Sequence, residues 1–246
     1  MTTSSGRLRD PQQRAERATG ILDTAAELLL RHGYRRVSID DVAVGAGIGK
    51  GTVYLHWKTR EQLFSAVFAR EVLAAVGAVR DALRDDPETC LLDRFARTYF
   101  LAVLDRPLLR GFLLADPQLL GKLAEAPGTA REARHADGAR RYVELLAHHG
   151  LVRDDLSPGE IGYAYQATFE GFLRAEEAPD AEDALDDTER RADLLADVVR
   201  RSLGAERTPV GTVLDETAGA VAGILDDLIA ADREELGIPE VPATPE

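Results

Sequence analysis

The chain has 246 residues, 45% of them hydrophobic, and a formal net charge of −13 at pH 7, a length that accommodates a small domain together with a larger one. Its single cysteine excludes an internal disulfide and a metal site built from several cysteines. We find no apolar run approaching the roughly 18 residues of a membrane span and no apolar signal segment, so we expect a soluble, cytoplasmic protein without membrane contact.

The first 32 residues divide into a polar arm and a helix. Residues 1–14, MTTSSGRLRDPQQR, lack periodicity and carry Arg7, Arg9 and Arg14, so we expect a flexible basic arm. From about residue 14 to residue 32 one apolar stripe follows helical spacing, which predicts a helix that ends at Gly33. The stripe consists of Ile21, Ala25, Leu28 and Leu29.

Residues 38–58, SIDDVAVGAGIGKGTVYLHWK, predict a helix, a glycine-containing turn and a second, short helix. Ser38 and Asp41 have the spacing of a capping box, which begins a helix. Gly45 and Gly47 then end that helix, because glycine adopts positive φ without steric cost.

The second helix, over residues 50–56, has one apolar face and one polar face. Val53 and Trp57 share a face and are expected to anchor the helix to the core. Two glycines near its start reduce helix stability but let the backbone approach another surface closely. The polar face and the residue just beyond it carry Lys50, Thr52, Tyr54, His56 and Lys58. Such a face favours a helix that enters a DNA groove over one buried in a core.

At these residues the chain resembles the DNA-binding signature of the TetR family of transcriptional regulators. The resemblance runs from Gly33 to Phe64, GYRRVSIDDVAVGAGIGKGTVYLHWKTREQLF, and covers about the first quarter of the chain. Trp57 stands where phenylalanine is more usual, and the rest of the chain resembles the family only in architecture. The resemblance implies an all-α fold with an N-terminal three-helix helix-turn-helix domain. A C-terminal helical bundle for ligand binding and dimerisation is implied to follow.

The resemblance implies that residues 50–56 lie in the major groove, where base edges distinguish all four base pairs. Lys50 and Thr52 are expected to contact base edges, because lysine donates to guanine and the threonine methyl can touch that of thymine. The other residues are expected to contact phosphates, which set the register, or to permit close approach. The predicted DNA-binding residues are Ser38, Lys50, Gly51, Thr52, Tyr54, His56, Lys58 and Thr59.

Alternatives to the phosphate contacts stay open at this point. Tyr54, His56 and Lys58 suit a phosphate, but Tyr54 could be a half-buried packing residue and His56 an ordinary surface histidine. Ser38 and Thr59 can hold phosphate at helix N-termini, yet both also cap their helices without DNA, since Thr59 opens a second capping box. The basic arm could insert arginine into a minor groove or serve only as a solubilising tail.

Positive and negative charges are distributed unevenly along the chain. Residues 1–60 contain ten Lys and Arg against six Asp and Glu, a net charge of +4, whereas the remaining residues contain 20 and 37, a net charge of −17. An acidic protein that is basic at one end suggests a focused surface for a polyanion. Solvent-exposed acidic helices would explain the negative charge of the second part of the chain. They do not explain why residues 1–60 carry a positive net charge instead.

Beyond residue 60 the pattern is helical, and strand-like alternation is absent from the sequence. We predict helices over about residues 60–83, 88–104, from Pro107 with an interruption at Pro117, 127–149, 157–175 and 181–203. A further amphipathic helix over about residues 210–236 departs from the minimal family pattern, and the sequence does not identify its partner surface. We divide the chain into an arm (1–14), a DNA-binding domain (15–62), a ligand-binding and dimerisation domain (63–204), an extra helix (205–236) and a disordered tail (237–246).

The helices at residues 160–175 and 181–203 both carry broad apolar faces. The residues that mark them are Ile161, Tyr165, Thr168, Phe169 and Phe172 on the first helix, and Leu194, Leu195, Val198, Val199 and Leu203 on the second. In the family the corresponding pair forms a four-helix homodimer interface. A palindromic operator requires recognition helices about 34–36 Å apart, which a two-fold dimer supplies. The alternative is that both faces are buried within the same chain.

The resemblance also implies a pocket for a small-molecule effector inside the C-terminal bundle. Such pockets are mostly apolar with few polar groups. The candidate lining residues are Phe95, Tyr99, Phe112, Tyr142, Tyr165, Gln166, Phe169 and Glu170. Aromatic residues at helical spacing are more often core than lining. Glu170 could pair with Arg174 or meet a cationic ligand, because an unpaired buried carboxylate is costly.

The sequence contains no metal-ligand cluster, glycine-rich phosphate loop or nucleophile elbow, so we expect neither an enzyme nor a metal or cofactor site. His148 and His149 are interpreted as favourable groups at a helix C-terminus rather than metal ligands. Cys90 is interpreted as a buried small hydrophobe, with a redox-sensing thiol as the less favoured alternative.

The predicted function is a transcriptional repressor that binds double-stranded DNA as a homodimer and is released by an unknown small molecule. The alternative is a DNA-binding regulator without a small ligand, controlled by a protein partner or by its abundance.

Overall fold

The structure is a computed structural model that describes residues 11–121, 130–175, 187–206 and 211–236. Within these ranges the fold is built from helices, as the sequence predicts, with short 3₁₀ turns at Tyr34–Arg36 and Pro87–Cys90 and one isolated β-bridge. The helices are α1 Pro11–His32, α2 Ile39–Gly45, α3 Lys50–His56, α4 Arg60–Asp85, α5 Leu92–Leu104, α6 Pro107–Leu113, α7 Pro117–Leu120, α8 Ala130–His148, α9 Pro158–Ala175, α10 Thr188–Leu203 and α11 Thr212–Leu236.

The chain separates into two compact units, which are described individually. The N-terminal unit comprises Met1–Leu73, Ala115–Ala126 and Ala231–Glu246. The bundle unit comprises Ala74–Leu114 and Pro127–Ala230. The division falls inside α4 and inside α11, so each of these helices contributes residues to both units.

The first three helices and the start of α4 form the core of the N-terminal unit. Their fully or almost fully buried side chains include Ile21, Leu22, Ala25, Leu29, Val42, Ala43, Val53, Leu63 and Phe64. One member of the predicted α1 stripe differs, because Leu28 is only half-buried and Leu22 faces inward instead. In the turn, Gly47 has a φ of 65°, and the Ile48 amide donates to the Ala43 carbonyl at 2.9 Å. This turn sets α3 against α2 with its outer face free.

Tyr34 fixes the 3₁₀ turn that precedes α2. Its ring packs so closely on Gly121 that a Cβ there would lie 2.4 Å from the ring carbon Cδ1. The Arg60 guanidinium carbon lies 4.0 Å from the ring centroid, a cation–π contact, and Arg60 also donates to the Tyr34 carbonyl. The Tyr34 hydroxyl donates to Glu61 at 3.2 Å, and burial, followed by the Glu61 charge, raises the pKa of Tyr34. The first turn of α4 is thereby joined to the helix-turn-helix.

In the bundle unit, α5 packs along α10, and α9 packs against both α8 and α10. Fully buried side chains at the centre include Phe100, Leu109, Leu146, Ile161, Leu173 and Leu195. At the surface Arg97 of α5 donates to Glu189 and, at 2.7 Å, to Asp193 of α10. The contacts of Arg97 join α5 to α10.

Helix α11, whose partner surface the sequence left open, packs on its own chain. Its buried apolar side chains include Val221 and Leu225. Leu228 lies so close to Gly138 of α8 that a Cβ on that glycine would be 3.0 Å from the leucine Cδ1. Arg80 of α4 donates to Asp226 of α11 at 2.6 and 3.1 Å. The apolar stripe of the extra helix is therefore covered within the bundle unit.

Helix α4 corrects one expectation from the sequence. Arg60–Asp85 contains an 18-residue window with a mean hydropathy of 1.5, which is long and apolar enough to cross a membrane by composition alone. Half of that window is buried inside the protein. The expectation that no apolar run approaches this length was therefore wrong. A core helix with many small apolar residues and few charges can reach the length and hydropathy of a membrane-spanning helix.

Several predicted boundaries differ from the structure. Helix α1 already includes Pro11, so Arg14 belongs to a helix and not to the arm. Cys90 is buried as expected but ends a 3₁₀ turn rather than lying inside a helix. Burial raises the pKa of its thiol to about 11, which leaves it protonated near neutral pH. The rest of the predicted arm, the start of the helix expected from residue 181, and the tail lie outside the described residues.

Candidate DNA-binding interface

The N-terminus of α2 has the predicted capping box. The Asp41 amide donates to the Ser38 hydroxyl oxygen at 3.2 Å, and the Ser38 amide donates to the Asp41 carboxylate at 2.8 Å. Hydrogen bonds from the Ser38 hydroxyl and amide lower the pKa of Asp41. The cap interpretation of Ser38 is thus confirmed, and a phosphate contact from its exposed hydroxyl remains a prediction.

A second serine provides a matched control for Ser38. In the bundle unit, Ser157 begins α9 with the same arrangement, because its amide donates to Glu160 at 2.8 Å and the Glu160 amide donates back at 3.3 Å. Hydrogen bonds from Ser157 likewise lower the pKa of Glu160.

Replacing either serine with alanine is expected to lower the free energy of unfolding by about 1 kcal/mol, because a helix loses its N-cap. The partner carboxylates, Asp41 and Glu160, have lowered folded-state pKa values. The part of the stabilisation that comes from the hydrogen bonds between serine and carboxylate is therefore present above their unfolded pKa and is lost as the pH falls through the folded pKa. Denaturant titrations at neutral and acidic pH should show each variant approaching wild type in acid. Only Ser38→Ala should weaken DNA binding; equal DNA affinity of both variants would leave Ser38 as a cap alone.

Helix α3 is anchored from one side. Val53 is completely buried, and the Trp57 amide donates to the Val53 carbonyl at 3.0 Å to close the helix. Tyr54 is 38% exposed and the neighbouring Leu55 is 55% exposed. The face opposite Val53 is therefore open to an external partner.

Lys50, a predicted base-reading residue, is held by an aspartate in the free chain. Its ammonium nitrogen lies 2.8 Å from the Asp40 carboxylate and 5.9 Å from the centroid of the Tyr54 ring. The hydrogen bond to Asp40 raises the pKa of Lys50, so the ammonium stays charged. Both partners are largely exposed, so the pair is weak and screened by salt. Reading a guanine would require Lys50 to leave Asp40.

Replacing Asp40 with asparagine is therefore expected to raise DNA affinity several-fold. The variant removes a competitor for Lys50 and a negative charge beside the proposed phosphate contacts. Asp81→Asn is the matched control, because Asp81 makes a similar exposed pair with Arg84 in the bundle unit. Fluorescence anisotropy at several salt concentrations measures both variants. Unchanged or weaker binding by Asp40→Asn would show that Lys50 does not approach the DNA.

Gly51 and Thr52 follow Lys50 in the first turn of α3. Apart from the adjacent residues and the backbone of α3 itself, no atom of the described residues lies within 4 Å of a Cβ placed on Gly51, so the space beside this glycine is open. Thr52 is half-buried, and its amide donates to the Gly49 carbonyl at 2.8 Å. Packing inside the chain does not explain why residue 51 lacks a side chain.

The connection from α3 to α4 is closed by local hydrogen bonds. The Lys58 ammonium donates to the Tyr54 carbonyl at 2.9 Å, at the negative end of α3. The Gln62 amide donates to the Thr59 hydroxyl at 3.1 Å, as a cap requires. The second half of the predicted capping box differs, because the Gln62 side chain accepts from the Lys58 amide at 2.8 Å.

His56 ends α3 in a basic surrounding. Burial, followed by the charges of Arg14 and Arg17 on α1, lowers the pKa of His56. The folded chain therefore keeps the imidazole neutral to lower pH than free histidine, while the two arginines place positive charge beside α3. The sequence assigned Arg14 to a mobile arm and made no assignment for Arg17, because their proximity to His56 arises only in the folded unit.

Two exposed apolar residues were not among the sequence candidates. Val44 near the end of α2 is 81% exposed, and Leu55 on α3 is 55% exposed. For Val44, the helical periodicity of α2 could have predicted this exposure. Val42 and Ala43 point inward, so the next residue must point outward. Exposed apolar side chains beside a DNA-binding helix can contact thymine methyl groups.

The predicted effector-binding aromatics come together in the bundle unit. The ring centroids lie 4.7 Å apart for Phe95 and Tyr142, 5.4 Å for Tyr99 and Phe169, and 5.9 Å for Tyr165 and Phe169. We call these five residues the aromatic cluster. Phe112 lies half-buried on α6.

The two predicted polar groups lie elsewhere. Gln166 is exposed and donates to the half-buried Glu170 at 3.0 Å, so the pair satisfies itself on the outer side of α9. The anticipated partner of Glu170, Arg174, is exposed. Their roles in ligand binding remain predictions.

The apolar faces of α9 and α10 are divided between the inside and the outside of the chain. Ile161 and Phe169 of α9, and Leu195 of α10, are buried. Tyr163 is 79% exposed and Leu194 is 37% exposed. The alternative of burial within one chain thus holds for part of each face, and another part stays open.

Comparisons with known proteins agree with this architecture. Residues 21–67 match the sequence model of the family described as bacterial regulatory proteins, tetR family. The HTH-type transcriptional regulator Mb3439c of Mycobacterium bovis is 31% identical over 147 residues, which are 58% of this chain and 76% of that protein. A TetR family transcription regulator from Marinobacter aquaeolei superposes with a TM-score of 0.58 and 18% identity, covering 79% of this chain and 99% of that one.

Other relatives match mainly at the N-terminus. The HTH-type transcriptional activator FasR of Mycolicibacterium smegmatis is 37% identical over 71 residues, which are 29% of this chain and 32% of that protein. The chain spans 43% of the length of the first curated relatives it matches. Sequence similarity is therefore concentrated in the helix-turn-helix, and the bundle shares its fold more than its residues.

Proposed function

Because this chain belongs to the TetR family of bacterial transcriptional regulators, we propose that it is a repressor that binds a palindromic operator as a homodimer and is released by a small molecule. The observation that carries the proposal is the outer face of α3. Lys50 and Tyr54 project from it, the backbone is open at Gly51, and Val53 anchors the opposite side. A short helix held in this way has the form needed for base readout in a major groove.

The dimer is supported by what α9 and α10 leave exposed. A tyrosine and a leucine, Tyr163 and Leu194, remain exposed on their outer faces, whereas Ile161, Phe169, Leu195 and Val199 are buried. If a two-fold axis passes through this surface, Tyr163 and Leu194 of both subunits become buried. The dimer then presents one copy of α3 to each of two symmetric half-sites. Half-sites one helical turn apart or a multiple of it would follow from this arrangement.

Release by a small molecule is supported by the aromatic cluster. A ligand shifts an equilibrium between two conformers only by its difference in affinity for them. Helix α4 is the element through which a shift could pass, since its residues up to Leu73 belong to the N-terminal unit and the others to the bundle unit. A change in α4 would then alter the spacing of the two copies of α3.

A selection of genomic DNA fragments by the purified protein tests the proposal. Wild type should enrich a palindrome, and Tyr54→Ala should lose it, because Tyr54 lies on the exposed face of α3. Leu30→Ala removes a similarly exposed apolar side chain from α1 and should retain it. Lack of a palindrome with wild type, or its retention by Tyr54→Ala, would overturn the DNA-binding mode.

Transcription from a promoter that contains the enriched sequence separates repression from activation. Repression predicts less transcript when the protein is added and recovery when an effector is present. More transcript on addition of the protein would assign activation, the role in the description of FasR.

The alternative is a regulator without a small ligand, controlled by a protein partner or by abundance. The ring-to-ring packing of the aromatic cluster is the observation in its favour, because rings 4.7–5.9 Å apart already stabilise one another. An effector that changes operator affinity would exclude this alternative.

A further inference from the structure

Tyr165 of α9 carries a polar atom that its surroundings leave unsatisfied. Its hydroxyl oxygen is buried and has no hydrogen-bond partner in the part of the chain that the structure describes. By contrast, the Tyr142 hydroxyl donates to the Cys90 carbonyl at 2.9 Å. A buried hydroxyl without a partner is costly, so native proteins rarely keep one without a use. The Tyr165 hydroxyl is thus available to a bound molecule.

The rings around this hydroxyl are deep in the protein yet still reachable. Burial raises the pKa of Tyr99 to about 12 and raises that of Tyr165 further. Both side chains, and that of Phe95, nevertheless keep some solvent-accessible surface. These three side chains are therefore not completely enclosed by the protein.

The charges that act on the cluster disfavour an anionic ligand. Within the described residues, burial and then the charge of Asp93 raise the pKa of Tyr142, whereas a nearby cation would lower it. The phenols of Tyr99 and Tyr165 and the thiol of Cys90 are uncharged near neutral pH, so they do not compensate the charge of an anion. A carboxylate ligand would meet no compensating charge there.

The acidic side chain expected to receive a cationic ligand already accepts a hydrogen bond within α9. Glu170 accepts a hydrogen bond from Gln166 on the exposed side of α9. The interior of the cluster presents aromatic faces and phenol groups, which bind uncharged, flat molecules through their large apolar area.

We infer that the aromatic cluster binds a neutral, flat, mostly apolar molecule with one uncharged oxygen acceptor, such as a carbonyl, which receives the hydrogen bond of the Tyr165 hydroxyl. The inference rests on the proposed function, since it names the ligand class of the proposed effector site. It assigns the polar contact with the ligand to Tyr165, whose hydroxyl has no hydrogen-bond partner among the described residues. Gln166 and Glu170, the polar groups that the sequence suggested, are hydrogen-bonded to each other.

Three probes with one ring system test the inference. They are 2-acetylnaphthalene, which is neutral and has a carbonyl; 2-ethylnaphthalene, which has no oxygen; and 2-naphthoate, which is anionic. Isothermal titration calorimetry on the full chain measures each affinity. Wild type should bind 2-acetylnaphthalene about 3- to 10-fold more tightly than 2-ethylnaphthalene, the value of one neutral hydrogen bond. Binding of 2-naphthoate should be the weakest.

Two variants separate the hydrogen bond from general packing. Tyr165→Phe keeps the ring and should abolish the preference for 2-acetylnaphthalene while leaving 2-ethylnaphthalene binding unchanged. Thr19→Val removes the hydroxyl of an exposed threonine on α1 and should preserve the preference. Thermal unfolding confirms that both variants are folded, and Tyr165→Phe should be no less stable than wild type because it removes an unsatisfied group.

The inference is overturned if no probe binds, if 2-naphthoate binds most tightly, or if Tyr165→Phe keeps the carbonyl preference. These readouts do not involve DNA, so they stand apart from the proposed function. Probes that bind as expected but leave operator affinity unchanged would support the site and contradict its role in release.

Discussion

Replacing Tyr163 and Leu194 with glutamate is expected to convert the protein from dimer to monomer and to weaken operator binding by about 100-fold or more. The two residues are 79% and 37% exposed on α9 and α10, so part of the apolar surface of each is left open by the single chain. In the proposed dimer, glutamates at these positions would be buried beside their symmetry mates without a counter-charge. A monomer binds one half-site and loses an avidity gain of about 10²–10⁴.

Sedimentation velocity and anisotropy on the same samples measure the two effects together. Leu30→Glu introduces the same charge at a leucine that is 51% exposed on α1 and should remain dimeric. Circular dichroism shows whether the double variant keeps its helices. A folded double variant that is still a dimer would place the interface on another surface, and a monomer with wild-type affinity would remove the need for a dimer.

Replacing Gly51 with alanine is expected to change stability and DNA binding in opposite directions. The Cβ would meet no atom of another described element within 4 Å, so the folded protein should gain a few tenths to about 1 kcal/mol from the better helix former. At the proposed interface the same methyl group would lie between α3 and the DNA. Operator affinity should fall by about tenfold or more, since a displaced helix loses several contacts at once, each worth about 1–3 kcal/mol.

Gly223→Ala is the matched control, because this exposed glycine on α11 also has no atom within 4 Å of a Cβ. Both variants should be as stable as wild type or more so in denaturant titrations. Only Gly51→Ala should bind the operator weakly. Wild-type operator affinity in Gly51→Ala would mean that the backbone of α3 does not approach the DNA closely.

The helix-turn-helix was predictable because its signals are local. The Ser38–Asp41 box spans four residues, and the positive φ of Gly47 lies where a glycine was needed to turn the chain. These interactions join residues within one or two helical turns of each other, so they can be recognised from short sequence motifs. The ends of α3 and α9 follow for the same reason.

Contacts between distant residues were not predictable. Lys50 pairs with Asp40 ten positions away, and the Tyr34 ring meets Gly121, which lies far along the chain. Neither contact leaves a periodic signal, because each depends on how separate helices pack. The burial of Leu228 of α11 beside α8 has the same origin.

The faces of α9 illustrate a second limit. Tyr163 and Tyr165 are two positions apart and so point in nearly opposite directions from a helix. The periodic pattern marked Tyr165 as inward but could not show that its hydroxyl would lack a partner. It also could not show that apolar surface would remain at Tyr163, since that depends on how much of the helix α8 and α10 cover.

Methylation interference on the operator tests the central claim, that α3 reads bases in the major groove, most directly. Dimethyl sulfate methylates guanine at N7, which faces the major groove, and adenine at N3, which faces the minor groove. The account predicts that methylated guanines block binding at symmetric positions, one set in each half-site of a palindrome. Interference confined to adenines, or found in one half-site only, would contradict it.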